Sequence, residues 1–196
     1  MQKPWLPVVV ASDASPAYGF GVCKCDTSVD VVRELGRLSE KRGDYIVLGA
    51  PGQIPDAASR IGKPHRIPLS KTRFSTVISA KTRVGGHPGL LEAQAVRLAV
   101  EWVARAVDRV GHRVVLLVDA KAILGAVAKG RSSAKTIRRI VARISALVLA
   151  TDITLHLLYV PTEWNPADAP SRGPPTPRFR VGHVRKSPLL KRTPQH

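Results

Sequence analysis

Four carboxylates stand where the chain could bring them together. Two apolar, β-branched runs, VVVASD at 8–13 and VVLLVD at 114–119, each finish on an aspartate, Asp13 and Asp119. Glu92 falls near the start of an apolar-striped helical segment, and Asp168 comes shortly after the last strand-like run. Oxygen-only donors suit hard cations such as Mg²⁺. A pair of such ions held by converging carboxylates activates a water and stabilises the leaving oxygen of a phosphodiester displaced in line. Clustered acids repel one another unless a cation neutralises them, so this chemistry and a metal go together. The expectation is one catalytic, metal-binding constellation of Asp13, Glu92, Asp119 and Asp168.

The elements that must position these acids can be read from apolar periodicity. Residues 8–13 and 18–25, separated by Ala14-Ser15-Pro16, read as a hairpin. Thr27 can cap a short helix striped by Val31, Val32, Leu35 and Leu38. The segment 49–71 is rich in Gly and Pro without sustained period and reads as an irregular insertion, and 74–79 reads as a third strand. A long helix is expected from about Pro88 to Val110. At about 100° per residue its Ala95, Val96, Ala99, Val103, Ala106 and Val110 share an arc with Glu92. The run 114–118 has the continuous apolar character of a strand buried on both faces. A helix through Ile123, Leu124 and Val127 should stop at Gly130, and Ser133 can cap the next, which carries Ile137, Ile140, Val141 and Ile144. Residues 153–160 form a last strand, after which Asn165 can cap a one-turn helix opened by Pro166.

Charge points to the partner. The 196 residues carry 31 Lys and Arg against 14 Asp and Glu, a net charge of +17, which favours polyanions through counterion release. Lys129, Arg131, Lys135, Arg138, Arg139 and Arg143 form a basic ridge without acidic partners one turn away. With Arg172 they are the expected nucleic-acid contacts. Aromatic residues make up only 5% of the chain, which argues against base stacking as the main mode of binding. Apolar runs are too short for a membrane span, and the N-terminus lacks the order of a secretory or transit signal. Cys23 and Cys25 have no other cysteine to pair with and are expected to point to opposite sides of their strand as free thiols in a reducing compartment. An intracellular protein is expected, with nucleus and cytoplasm both open and no membrane partner. Residues 1–172 read as one domain with an insertion at about 26–72, and 173–196 as a basic Pro/Arg-rich tail.

Several runs resemble ribonuclease H as it occurs in retroelement reverse transcriptases, particularly those of tyrosine-recombinase-type elements. The resemblance rests on SDAS at 12–15, GFGV at 19–22, LEAQAV at 91–96, VDAKAILGAVAKGRSS at 118–133 and YVPTEWNPADAPSR at 159–172. It implies an α/β fold with a five-stranded mixed sheet and helices on both faces. It also implies a site of two Mg²⁺ ions, or Mn²⁺, on the four acids, hydrolysing the RNA strand of an RNA/DNA hybrid to leave 5′-phosphate and 3′-hydroxyl ends. Nucleic acid would be the partner, with a reverse transcriptase or ribonucleoprotein as a further one. Family members often carry Asn or Ser after the central aspartate, where this chain has Ala120, and a histidine shortly before the final aspartate, where the nearest here is His156. Two other readings of the same residues are a non-catalytic nucleic-acid-binding or ribonucleoprotein component on this fold, and a DNA-processing relative using similar acids.

Overall fold

The computed structural model describes residues 3–39, 43–49, 62–83 and 85–173. In chain order the elements are β1 (Trp5–Ala14), β2 (Gly19–Asp26), α1 (Val29–Leu38), β3 (Tyr45–Leu48), β4 (Pro64–Ile67) and β5 (Ser75–Lys81). These are followed by α2 (Pro88–Ala104), β6 (Arg113–Val118), α3 (Lys121–Ala128), α4 (Lys135–Ala150), β7 (Thr154–Tyr159) and α5 (Asp168–Ser171). Five strands form one mixed sheet in the order β5-β2-β1-β6-β7. β1 and β2 make the antiparallel hairpin, β5 adds antiparallel to β2, and β6 and β7 run parallel to β1.

Alternation along β1 divides the interior in two. Val8 and Val10 face a core shared with Ala93, Val96, Ala99, Val100 and Val103 of α2, Ile123 of α3 and Ile140 and Ile144 of α4. Val9 and Ala11 face a second core with Val32, Leu35 and Leu38 of α1, Ile46 and Leu48 of β3 and Ile67 of β4. Central strand β6 feeds both cores, Val114, Leu116 and Val118 one way and Val115 and Leu117 the other. Its unbroken apolar run therefore belongs to a strand covered on both faces. The chain is α/β with helices on both sides of the sheet.

Several boundaries differ from the sequence expectation. Ser28, not Thr27, caps α1, accepting from the Val31 N–H. α2 ends at Ala104, and beyond it Val107 is 91% exposed and Val110 39%. Ala106 and Val110 therefore leave the buried stripe. A 3-10 turn over Val107–Arg109 follows α2 and leads into β6. Glu92 sits half-buried at the rim rather than within the stripe. α4 begins after Ala134 without a side-chain cap on the helix itself, while the Ser132 hydroxyl accepts from the Ala134 N–H just ahead of it.

The segment 49–71, expected to be irregular, holds the strand β4 among its described residues. β3 and β4 pair in parallel as a small second sheet. Asp44 ties them by accepting from the Lys63 N–H and by bonding His65 Nε2 at 2.6 Å. With α1 they cover the second face of the main sheet. Residues 50–61 of this stretch, and the tail after Gly173, lie outside the described residues. Cys23 and Cys25, two apart on β2, share one face instead of pointing apart. Both are buried and free. Among the described residues no helix is long and apolar enough to cross a membrane.

Candidate functional site

Strand register sets two of the acids side by side. β1 and β6 run in the same direction with Ser12 opposite Val118, so the next residues, Asp13 and Asp119, emerge together at one edge. Crevices outside the carboxyl ends of parallel strands are where open α/β sheets bind ligands. Asp13 is only 7% exposed and lies within hydrogen-bonding reach of Asp119. Burial first, then Asp119, then the more distant charge of Asp168 push the Asp13 carboxyl up to about 8, with the Ser171 hydroxyl opposing them. Asp119 accepts from the Thr162 hydroxyl at 3.0 Å.

Glu92 reaches the same edge from α2. Burial raises its pKa, Asp119 raises it further, and His87 lowers it. His87 is the N-cap of α2, its Nδ1 accepting from the Gly89 N–H at 3.2 Å, with Pro88 opening the helix. The sequence reading passed over His87. His156, by contrast, is held inside the sheet, its Nδ1 bonded to Ser39 Oγ at 3.0 Å and its ring 4.6 Å from that of Trp5.

The fourth acid is carried on a stapled turn. Asn165 is fully buried; its Nδ2 donates to the Ser12 carbonyl at 3.0 Å and its Oδ1 accepts from the Ala167 N–H at 3.1 Å. Asn165 does not cap α5, which starts only at Asp168 after Ala167 and has no side-chain cap; the Asn165 bond to the Ala167 N–H braces the turn ahead of the helix. Ser171 Oγ bonds Asp13 Oδ2 and donates to the Asp168 carbonyl at 2.8 Å. Under this turn lies Gly21, paired with Asp13 across the hairpin. A Cβ on Gly21 would sit 2.4 Å from the Ala167 carbonyl oxygen and 2.6 Å from the Ser171 nitrogen. Thr162, Asn165 and Ser171 thus explain why the run TEWNPADAPSR spaces its polar residues as it does. Of these three, the sequence pattern alone singles out only Asn165, and as a helix cap.

Asp168 is covered by an arginine of its own turn. Arg172 Nε donates to both its oxygens at 3.0 Å, and Nη2 donates to Oδ1 at 2.8 Å. Arg172, expected on nucleic acid, is therefore a fork on Asp168. Among the described residues no three acidic, histidine or cysteine side chains close on one point that would hold an ion. Asp13 and Asp119 are the pair that meet, while Glu92 and Asp168 stand at Coulombic range. The donor set nonetheless suits a hard dication: it is all oxygen, and burial of Asp13 beside Asp119 makes their joint ionisation costly without a cation.

The remaining basic residues are all exposed: Lys129, Arg131, Lys135, Arg138, Arg139 and Arg143. The first turns of α2 and α4 adjoin, since a Cβ on Gly89 would lie 3.8 Å from Ile137 Cδ1. Lys135, Arg138 and Arg139 therefore start near the end of the sheet that carries Glu92. Lys129 instead lines an open cavity of about 570 Å³ along β7, with Leu124, Leu155, Leu157 and Tyr159. No protein-family model matches the chain, and no curated protein matches it significantly.

Proposed function

We propose that this chain is a metal-dependent endoribonuclease with a ribonuclease H-like fold, of retroelement reverse-transcriptase origin, which hydrolyses the RNA strand of RNA/DNA hybrids. The observation that carries this reading is the parallel register placing Asp13 beside Asp119 at the carboxyl edge of β1 and β6, with Asp13 buried and its proton held to about 8. Glu92 and Asp168 complete the set from α2 and α5. Mg²⁺, or Mn²⁺ in its place, supplies an activated water and stabilisation of the departing oxygen when bound there. The chain's own contribution is placement. Asn165 and Ser171 fix the turn bearing Asp168 against β1, Thr162 orients Asp119, and Lys135, Arg138, Arg139 and Arg143 supply charge for a phosphate backbone.

One observation favours a second reading, a non-catalytic nucleic-acid-binding component: Asp168 is engaged by Arg172, and among the described residues no three acids converge. Incubating the purified chain with labelled RNA/DNA hybrid, double-stranded RNA and double-stranded DNA, with Mg²⁺ or with chelator, separates the two. Cutting of the RNA strand of the hybrid alone, with Mg²⁺ alone, is the expected result. Binding of the hybrid without cutting at any divalent concentration would favour the second.

A further inference from the structure

The fork on Asp168 is built from this chain's own residues and has a consequence for ion binding. Arg172 is four residues after Asp168 at the end of α5, directly ahead of Gly173, whose φ of 89° is in the left-handed region. Its guanidinium covers both carboxylate oxygens, yet its side chain is 63% exposed against 25% for Asp168. A bidentate arginine fork saturates a carboxylate as a cation does. Exposure keeps the pair weak and exchangeable, because solvent screens it and few contacts hold the arginine in place. The rest of the turn is fixed independently of Arg172, by Asn165 on Ser12 and by Ser171 on Asp13. Removing the guanidinium would therefore free the carboxylate without releasing the turn that carries it.

We propose that Arg172 is an internal counter-cation for Asp168 that a divalent ion must displace, so that it acts as a positioning residue setting how tightly the acid edge takes metal. This rests on the metal-site reading above. Once displaced, the guanidinium stands at the edge of the acid cluster with no carboxylate to neutralise, where it can meet a backbone phosphate of the nucleic acid. Asp168 is thereby covered until an ion arrives, which limits repulsion of the approaching polyanion.

The test is Mn²⁺ binding by calorimetry to the full chain, without nucleic acid, comparing wild type, Arg172→Ala and Arg172→Lys after far-UV circular dichroism has verified the fold. Arg172→Ala should bind Mn²⁺ more tightly by about 2- to 5-fold, the scale of a lost exposed fork. Arg172→Lys, which keeps the charge but not the bidentate geometry, should fall between the two. Weaker or unchanged affinity in Arg172→Ala would overturn the proposal, because the arginine would then support ligation or play no part. Lysine indistinguishable from wild type, with alanine tighter, would also overturn the fork in favour of diffuse charge repulsion. If none of the three binds Mn²⁺, the metal-site reading itself falls and the proposal with it.

Discussion

Asp13 carries an electrostatic load that only a folded chain imposes. Its carboxyl has an ordinary value of 3.8 when unfolded and about 8 when folded, because it is buried beside Asp119. The folded state therefore holds a proton that the unfolded state gives up between those values. The resulting stability is present in full below pH 4 and is lost as pH rises through about 8. Glu92, raised by burial and by Asp119, adds in the same direction. Asn at position 13 mimics the protonated acid. In chelator, Asp13→Asn should melt with wild type at about pH 3.5, where both states keep the proton, and should be more stable at pH 8.5 by about 1–3 kcal/mol, or roughly 2–12 °C. Thermal melts at the two values measure this, and a wild-type chain as stable as the variant at pH 8.5 would contradict the burial and pairing of Asp13.

At the level of elements, the site depends on how closely α5 rides on β2. Gly21 is what permits that approach, since any side chain there meets the Ala167 and Ser171 backbone. Gly21→Ala should destabilise the fold by about 1–3 kcal/mol through overpacking, and it should lower cleavage more than a surface change of equal stability cost, because it lifts Asp168 and Ser171 from Asp13. Denaturant unfolding alongside hybrid cleavage checks both halves. Elements with long apolar runs were legible in the sequence: β1 and β6 ending on aspartates, and α2, α3 and α4 to within a residue or two except where α2 stops. The four-residue strands β3 and β4 were not, because they are too short to show a period and lie in a Gly/Pro-rich stretch. Nor could the sequence tell that Asp168 faces Arg172. An arginine four residues after an aspartate is as compatible with a phosphate contact as with a fork, and only the turn geometry decides it.

For the whole molecule, charge and site act on different terms of the interaction. On the proposed function the basic helices and the 173–196 tail, with Arg178, Arg180, Arg185, Lys186, Lys191 and Arg192, would offer phosphate contacts without base readout. Deleting 173–196 should weaken binding to hybrid, RNA and DNA duplexes alike. It should also flatten the dependence of log affinity on log salt by about 0.9 for each tail charge that had met a phosphate. Titrations at several salt concentrations test this, and an unchanged slope would exclude the tail from binding. On the proposed function the acids govern chemistry instead, so the two functions should separate cleanly by mutation. The most direct measurement is single-turnover cleavage of a labelled RNA/DNA hybrid in Mg²⁺ by wild type and Asp119→Asn, with hybrid affinity measured in parallel. Losing one ligand of an ion that supplies several kcal/mol of transition-state stabilisation should cut the rate by roughly 10²- to 10⁴-fold, while binding is retained or improved. Cleavage by Asp119→Asn at the wild-type rate would contradict the assignment of these carboxylates.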